Sequence, residues 1–86
     1  MPYTPDLVHE LNTLLNFNLE SNQQGIKVRK DAAPTLIEAT ERLYAKGLLT
    51  LKDGGFLTDS GRAAAEHAHA ILAILNAHPE AVKSLV

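Results

Sequence analysis

The chain has 86 residues, a net charge of −2, 45% apolar and 21% charged residues, and no cysteine. Its length excludes two independent cores, because a chain of this size buries only roughly 60 to 65% of its unfolded surface, and its composition excludes a disordered polyelectrolyte. The missing cysteines exclude a disulfide framework and thiolate chemistry, and the acidic balance excludes a surface tuned throughout to nucleic acid, leaving room for a local basic patch.

The amino-terminal MPYTPDLVHEL lacks a basic segment followed by an apolar run. No stretch approaches the roughly 18 apolar residues of a spanning helix, so a cytoplasmic protein without membrane contact is expected. Thr4, Pro5 and Asp6 supply a hydroxyl cap, a first-turn proline and a first-turn acid, the signature of a helix start. Leu7, Leu11, Leu14, Leu15 and Leu19 recur at helical spacing with Val8 beside them, which carries this first helix toward Gly25, a left-handed or turn position. Ile26-Lys27-Val28-Arg29 alternates apolar with basic, predicting a short strand with Ile26 and Val28 inward.

A second helix opens at Asp31 or just before Pro34, turns Leu36, Ile37, Thr40, Leu43 and Tyr44 to one side, and stops at Gly47. Leu49 to Lys52 and Phe56 to Thr58 flank Asp53-Gly54-Gly55, which predicts a hairpin turning on those three residues. Thr58, Asp59 or Ser60 caps a third helix running to about Asn76, where Ala77-His78-Pro79 breaks it. Residues 1–78 are thus expected to form one α+β domain in the order helix, strand, helix, hairpin, helix, with 79–86 as a tail holding at most a short helix.

Arg42-Leu43-Tyr44-Ala45-Lys46-Gly47-Leu48-Leu49, followed by Asp53-Gly54-Gly55-Phe56-Leu57-Thr58-Asp59-Ser60-Gly61-Arg62, resembles the run that closes the recognition helix, forms the wing and opens the next helix in bacterial winged-helix regulators of the multiple-antibiotic-resistance class. The resemblance covers about a quarter of the chain and implies a winged-helix-like fold with one helix fewer than the usual helix-turn-helix. From Tyr3-Thr4-Pro5 through Gln23-Gln24-Gly25-Ile26-Lys27-Val28 to Leu57-Thr58, the chain also resembles a small uncharacterised bacterial family. Some of its members carry DNA-binding labels inferred by similarity.

On the second helix, the face opposite Leu36, Thr40 and Leu43 carries Glu38, Glu41, Arg42 and Ala45. Two acids repel a phosphate backbone, and Glu38 is expected to engage Arg42 four residues on. Lys27, Arg29, Lys30 and Lys52 form the main basic constellation, with Arg42 and Lys46 as lesser candidates for nucleic-acid contact. The alternative is a solvated strand face that discourages edge-to-edge pairing. The third helix places Ala63, Ala64, Ala68, Ala70, Ile71, Leu72, Ile74 and Leu75 in an apolar sector about 200° wide, roughly twice what one core needs. A homodimer is therefore expected, with Ala63, His67, Ala70, Ile71, Ile74 and Leu75 at the interface; the alternative is that the first helix covers both sides.

His67 falls inside that sector, where partial burial is expected, and His69 on the polar side; two residues apart, they cannot ligate one ion. His9 and His78 are expected at the surface. No metal, cofactor or catalytic residue is expected, because the chain offers no phosphate cradle, serine elbow or paired nucleophile and base. The reading is a non-enzymatic, dimeric, nucleic-acid-binding module acting on duplex DNA, against a protein-interaction module without DNA binding.

Overall fold

The computed structural model describes residues 2–20 and 25–77. Expectations for Ser21 to Gln24, His78, the Pro79 break and the 79–86 tail lie outside the described residues. Three helices and a three-stranded antiparallel sheet follow in the expected order.

Helix α1 spans Pro5–Leu14, with the Thr4 hydroxyl accepting from Leu7 N at 3.2 Å. It stops well short of Leu19. Asn16 N and Phe17 N bond back to Thr13 and Leu14 carbonyls in a tightened last turn, and Asn18 Oδ1 accepts from Glu20 N at 2.9 Å. The Asn18 side chain offers the backbone this local alternative to a helix, and the apolar spacing of Leu15 and Leu19 does not extend α1. The turn still delivers Phe17, 3% exposed, to the core.

Strand β1 (Ile26–Lys27) lies at one edge of the sheet, paired through Ile26 with Gly55 and Lys27 with Gly54. Ile26 and Val28 are half-buried while Lys27 and Arg29 are exposed, as the alternation requires. Gly25 is not left-handed; a Cβ there would meet Gly55 O at 2.3 Å, so close strand approach is what it serves.

Helix α2 (Pro34–Ala45) is preceded by Ala33 rather than capped by Asp31. Its buried positions are Ala39, Thr40 and Leu43, which leaves Tyr44 exposed instead of inward. The small Ala39 sits at the centre of the face, a position that counting large apolar residues overlooks. Gly47, at φ +80°, ends the helix: Leu48 N donates to Leu43 O and Gly47 N to Tyr44 O, the paired bonds of a Schellman motif.

Strands β2 (Leu49–Leu51) and β3 (Gly54–Leu57) form the hairpin, and β3 is the central strand. The turn is Lys52-Asp53, one step earlier than expected. Gly54 and Gly55 instead lie within β3 at positive φ, where the register shifts between Leu49 and Leu51 and the Thr50 hydroxyl accepts from Phe56 N. Val28 N donates to Asp53 O at 2.8 Å and ties the segment after β1 to the hairpin.

Helix α3 spans Asp59–Leu75. Thr58 caps it by accepting from Gly61 N, donates its own hydroxyl to Gly47 O at 2.7 Å, and sends its N–H to Leu48 O. One residue thus joins the end of α2, the start of β2 and the start of α3. The core comprises Leu14, Phe17, Leu43, Leu49 and Ala65, with Leu19, Ile26, Leu48, Leu57 and Ala64 packed on it. Each large side chain buried there contributes about 1.5 to 3 kcal/mol. No helix among the described residues is long and apolar enough to cross a membrane.

Candidate functional site

The six candidate cations fall in three places. Arg42 and Lys46, one turn apart on α2, both reach Glu10 on α1. Arg42 Nε lies 2.9 Å from Glu10 Oε2, Lys46 Nζ bonds Oε1, and Arg42 Nη2 donates to Asp6 O at 3.2 Å. Arg42 therefore pairs across the helix interface rather than with Glu38 along its own helix. A 5%-exposed carboxylate facing two donors outcompetes an exposed partner on the same helix. Burial pushes the Glu10 carboxyl up, but hydrogen bonds and attraction from Lys46 and Arg42 outweigh it and hold Glu10 below the ordinary carboxylate value. The Glu10 hydrogen bond in turn raises Arg42.

Nothing in the apolar periodicity of α1 announces this cluster, although Glu10 stands between Leu7 and Leu14 at helical spacing. That is a carboxylate on a helix's inward stripe, and it calls for a cationic partner.

Arg29, Lys30 and Lys52 come together elsewhere. They rim a 310 Å³ cleft between α2 and the β2–β3 turn, whose apolar lining is Val28, Ile37 and Leu51. Glu41 and Asp53 share the rim. Lys52 stands 4.0 Å from Glu41, with both side chains exposed, and among the described residues Arg29 and Lys30 make no ion pair. Lys27 opens on a second hollow beside Asn16, Asp31 and Leu36, which Arg29 also borders. Three rim cations against two rim carboxylates leave the first cleft one net positive charge.

The candidate interface residues of α3, Ala63, His67, Ala70, Ile71, Ile74 and Leu75, are all exposed, and burial along the helix falls toward its end. Gly61, Ala65 and Ala68 are buried, whereas every position from Ala70 to Ala77 is exposed. Ile71 is 45%, Ile74 64% and Leu75 72% exposed, and Ala63 and His67 are exposed as well. Among the described residues only Ala64 and Ala68 of the wide sector are covered, and α1 does not cover the rest. A 510 Å³ groove lined by Tyr3 and Leu11 on one side and by Ala64, His67, Ile71 and Ile74 on the other runs along it.

His67 borders that groove without being buried, and His69 is the half-buried one, its Nε2 covered and without a hydrogen-bond partner among the described residues. The inner face of α3 centres on Ala65 and Ala68, so His69, next in sequence, falls at its margin. His9 is likewise half-buried rather than at the surface. Among the described residues no three His, Asp or Glu side chains are placed to hold a metal ion.

Comparison with curated proteins and with solved structures finds no match. A family model, by contrast, matches residues 1–76, and the chain belongs to that family, a family of unknown function named DUF5669.

Proposed function

We propose that the protein is a non-enzymatic, winged-helix-type module that pairs through α3 and holds nucleic-acid phosphates with Arg29, Lys30 and Lys52. The observation that carries this reading is the gathering of those three exposed cations around one cleft at the wing turn, while Arg42 and Lys46 are taken up by Glu10. Binding of this kind positions a backbone without reading bases, because the exposed face of α2 presents Glu38 and Glu41 to any groove.

The test is fluorescence anisotropy with random-sequence duplex DNA over about 50 to 200 mM salt. Three phosphate contacts per chain give a log–log slope of about −2.7, and a pair of chains about −5.4. The triple variant Arg29→Ala/Lys30→Ala/Lys52→Ala flattens the slope, while Arg42→Ala leaves it nearly unchanged. No binding at the low-salt end rejects the reading.

Pairing rests on the uncovered aliphatic end of α3, since Ile71, Leu72, Ile74 and Leu75 exceed the scattered apolar exposure normal for a monomer surface. Light scattering at micromolar concentration is expected to give twice the chain mass, and Ile74→Glu/Leu75→Glu to return one chain mass without loss of helicity. A wild-type monomer at every concentration rejects the pairing. A second reading, a protein-interaction module that never meets DNA, is favoured by the two acids on α2; it predicts the dimer without the salt-dependent binding.

A further inference from the structure

The geometry points to the cleft between α2 and the β2–β3 turn as a binding site for a small organic monoanion with an aliphatic body. Its floor and rim differ in chemistry. Leu51 is 55% exposed although it faces the cleft, and Val28 and Ile37 beside it are only half-buried, so an apolar occupant removes aliphatic surface from water. Arg29 and Lys30 stand at the rim without ion pairs among the described residues, and Lys52 is held only by the long 4.0 Å contact to Glu41. A carboxylate or sulfonate head placed there gains charge-assisted hydrogen bonds at little cost in broken ones.

Glu41 and Asp53 set the charge of the occupant. Against three cations they leave one uncompensated positive charge, which suits a monoanion and disfavours a compact polyanion such as pyrophosphate. The site is also braced, since Val28 N bonds Asp53 O across its base and the Thr40 hydroxyl is turned back to Leu36 O. At 310 Å³ the cleft lies at the low end of the roughly 300 to 1,000 Å³ of ligand pockets, a size for a short-chain amphiphile and too small for a dinucleotide cofactor.

This site does not depend on nucleic-acid binding, although it shares Arg29, Lys30 and Lys52 with that reading. The experiment is an amide-resolved NMR titration of the full chain with octanoate, using 1-octanol and inorganic phosphate as comparators. Saturable shifts confined to residues 28–30, 37–41 and 51–53 are expected, with both comparators at least about tenfold weaker. Leu51→Ser, at an exposed position, is expected to weaken octanoate severalfold while leaving any DNA affinity in place; Arg29→Ala/Lys30→Ala weakens both. Octanol binding as well as octanoate, phosphate binding as well as octanoate, shifts that map instead to Ile71 and Ile74, or no saturation would each overturn the proposal. A DNA-negative protein that binds octanoate in the cleft upholds it while rejecting the nucleic-acid reading.

Discussion

Replacing Gly61 by alanine is expected to lower the urea midpoint, even though alanine is the better helix former. Helix propensity alone predicts a gain of about 1 kcal/mol inside α3. The structure opposes it with a collision: a Cβ on Gly61 would stand 1.9 Å from Leu48 O and 2.8 Å from its carbonyl carbon. Both are backbone atoms, fixed by the Schellman bond of Leu48 N to Leu43 O and by Thr58 N donating to the same Leu48 oxygen. The first turn of α3 must therefore move off the hairpin, loosening the contacts of Ala65 and Leu49 in the core. Overpacking of this kind costs about 1 to 3 kcal/mol, more where backbone must shift, so a net loss on the order of 3 kcal/mol is expected. Denaturant unfolding with an unchanged m-value measures it. An equal or higher midpoint would show that α3 does not dock as described.

The second large effect concerns Glu10. Glu10→Gln keeps the shape but removes the charge that Arg42 and Lys46 share. Charge-assisted hydrogen bonds contribute about 1.5 to 3 kcal/mol, and both cations remain partly exposed and so can be rehydrated, which places the expected loss near neutral pH at about 1 to 2 kcal/mol. The pH profile carries the signature. Because the folded-state value of Glu10 lies below the unfolded carboxylate value of about 4.3, its contribution is full above that value. It is lost as pH falls through the lower, folded value. Wild type and Glu10→Gln should therefore differ by the full amount above about pH 5 and converge as pH falls through the folded value. A constant gap across the whole range would mean that the variant acts through packing and not through charge.

How far the sequence reveals the fold depends on the range of the interaction responsible. The Thr4 and Thr58 caps, the Gly47 stop and the inward alternation of Ile26 and Val28 are each set by neighbours within a few positions, and each is legible in the chain. The end of α1 is not, because the apolar repeat through Leu15 and Leu19 persists after the helix has given way to tightened backbone turns and the Asn18 side-chain turn. The candidate site divides in the same way. Arg29, Lys30 and Lys52 follow from strand alternation and the hairpin turn, whereas the fate of Arg42 and Lys46 depends on a carboxylate 32 and 36 positions away. Counting cations along the chain cannot separate those that a distant acid has already taken.

The burial gradient along α3 also sets how its backbone exchanges with solvent hydrogen. Up to Ala68 the helix is clamped between the hairpin and the core, and its amides should open only when the whole domain does. From Ala70 onward every position is exposed among the described residues, and a short helical end with little tertiary packing is marginal in water. Protection factors should fall steeply between those two points in dilute protein, and the proposed pairing through α3 predicts that they rise again in the distal turns as concentration increases.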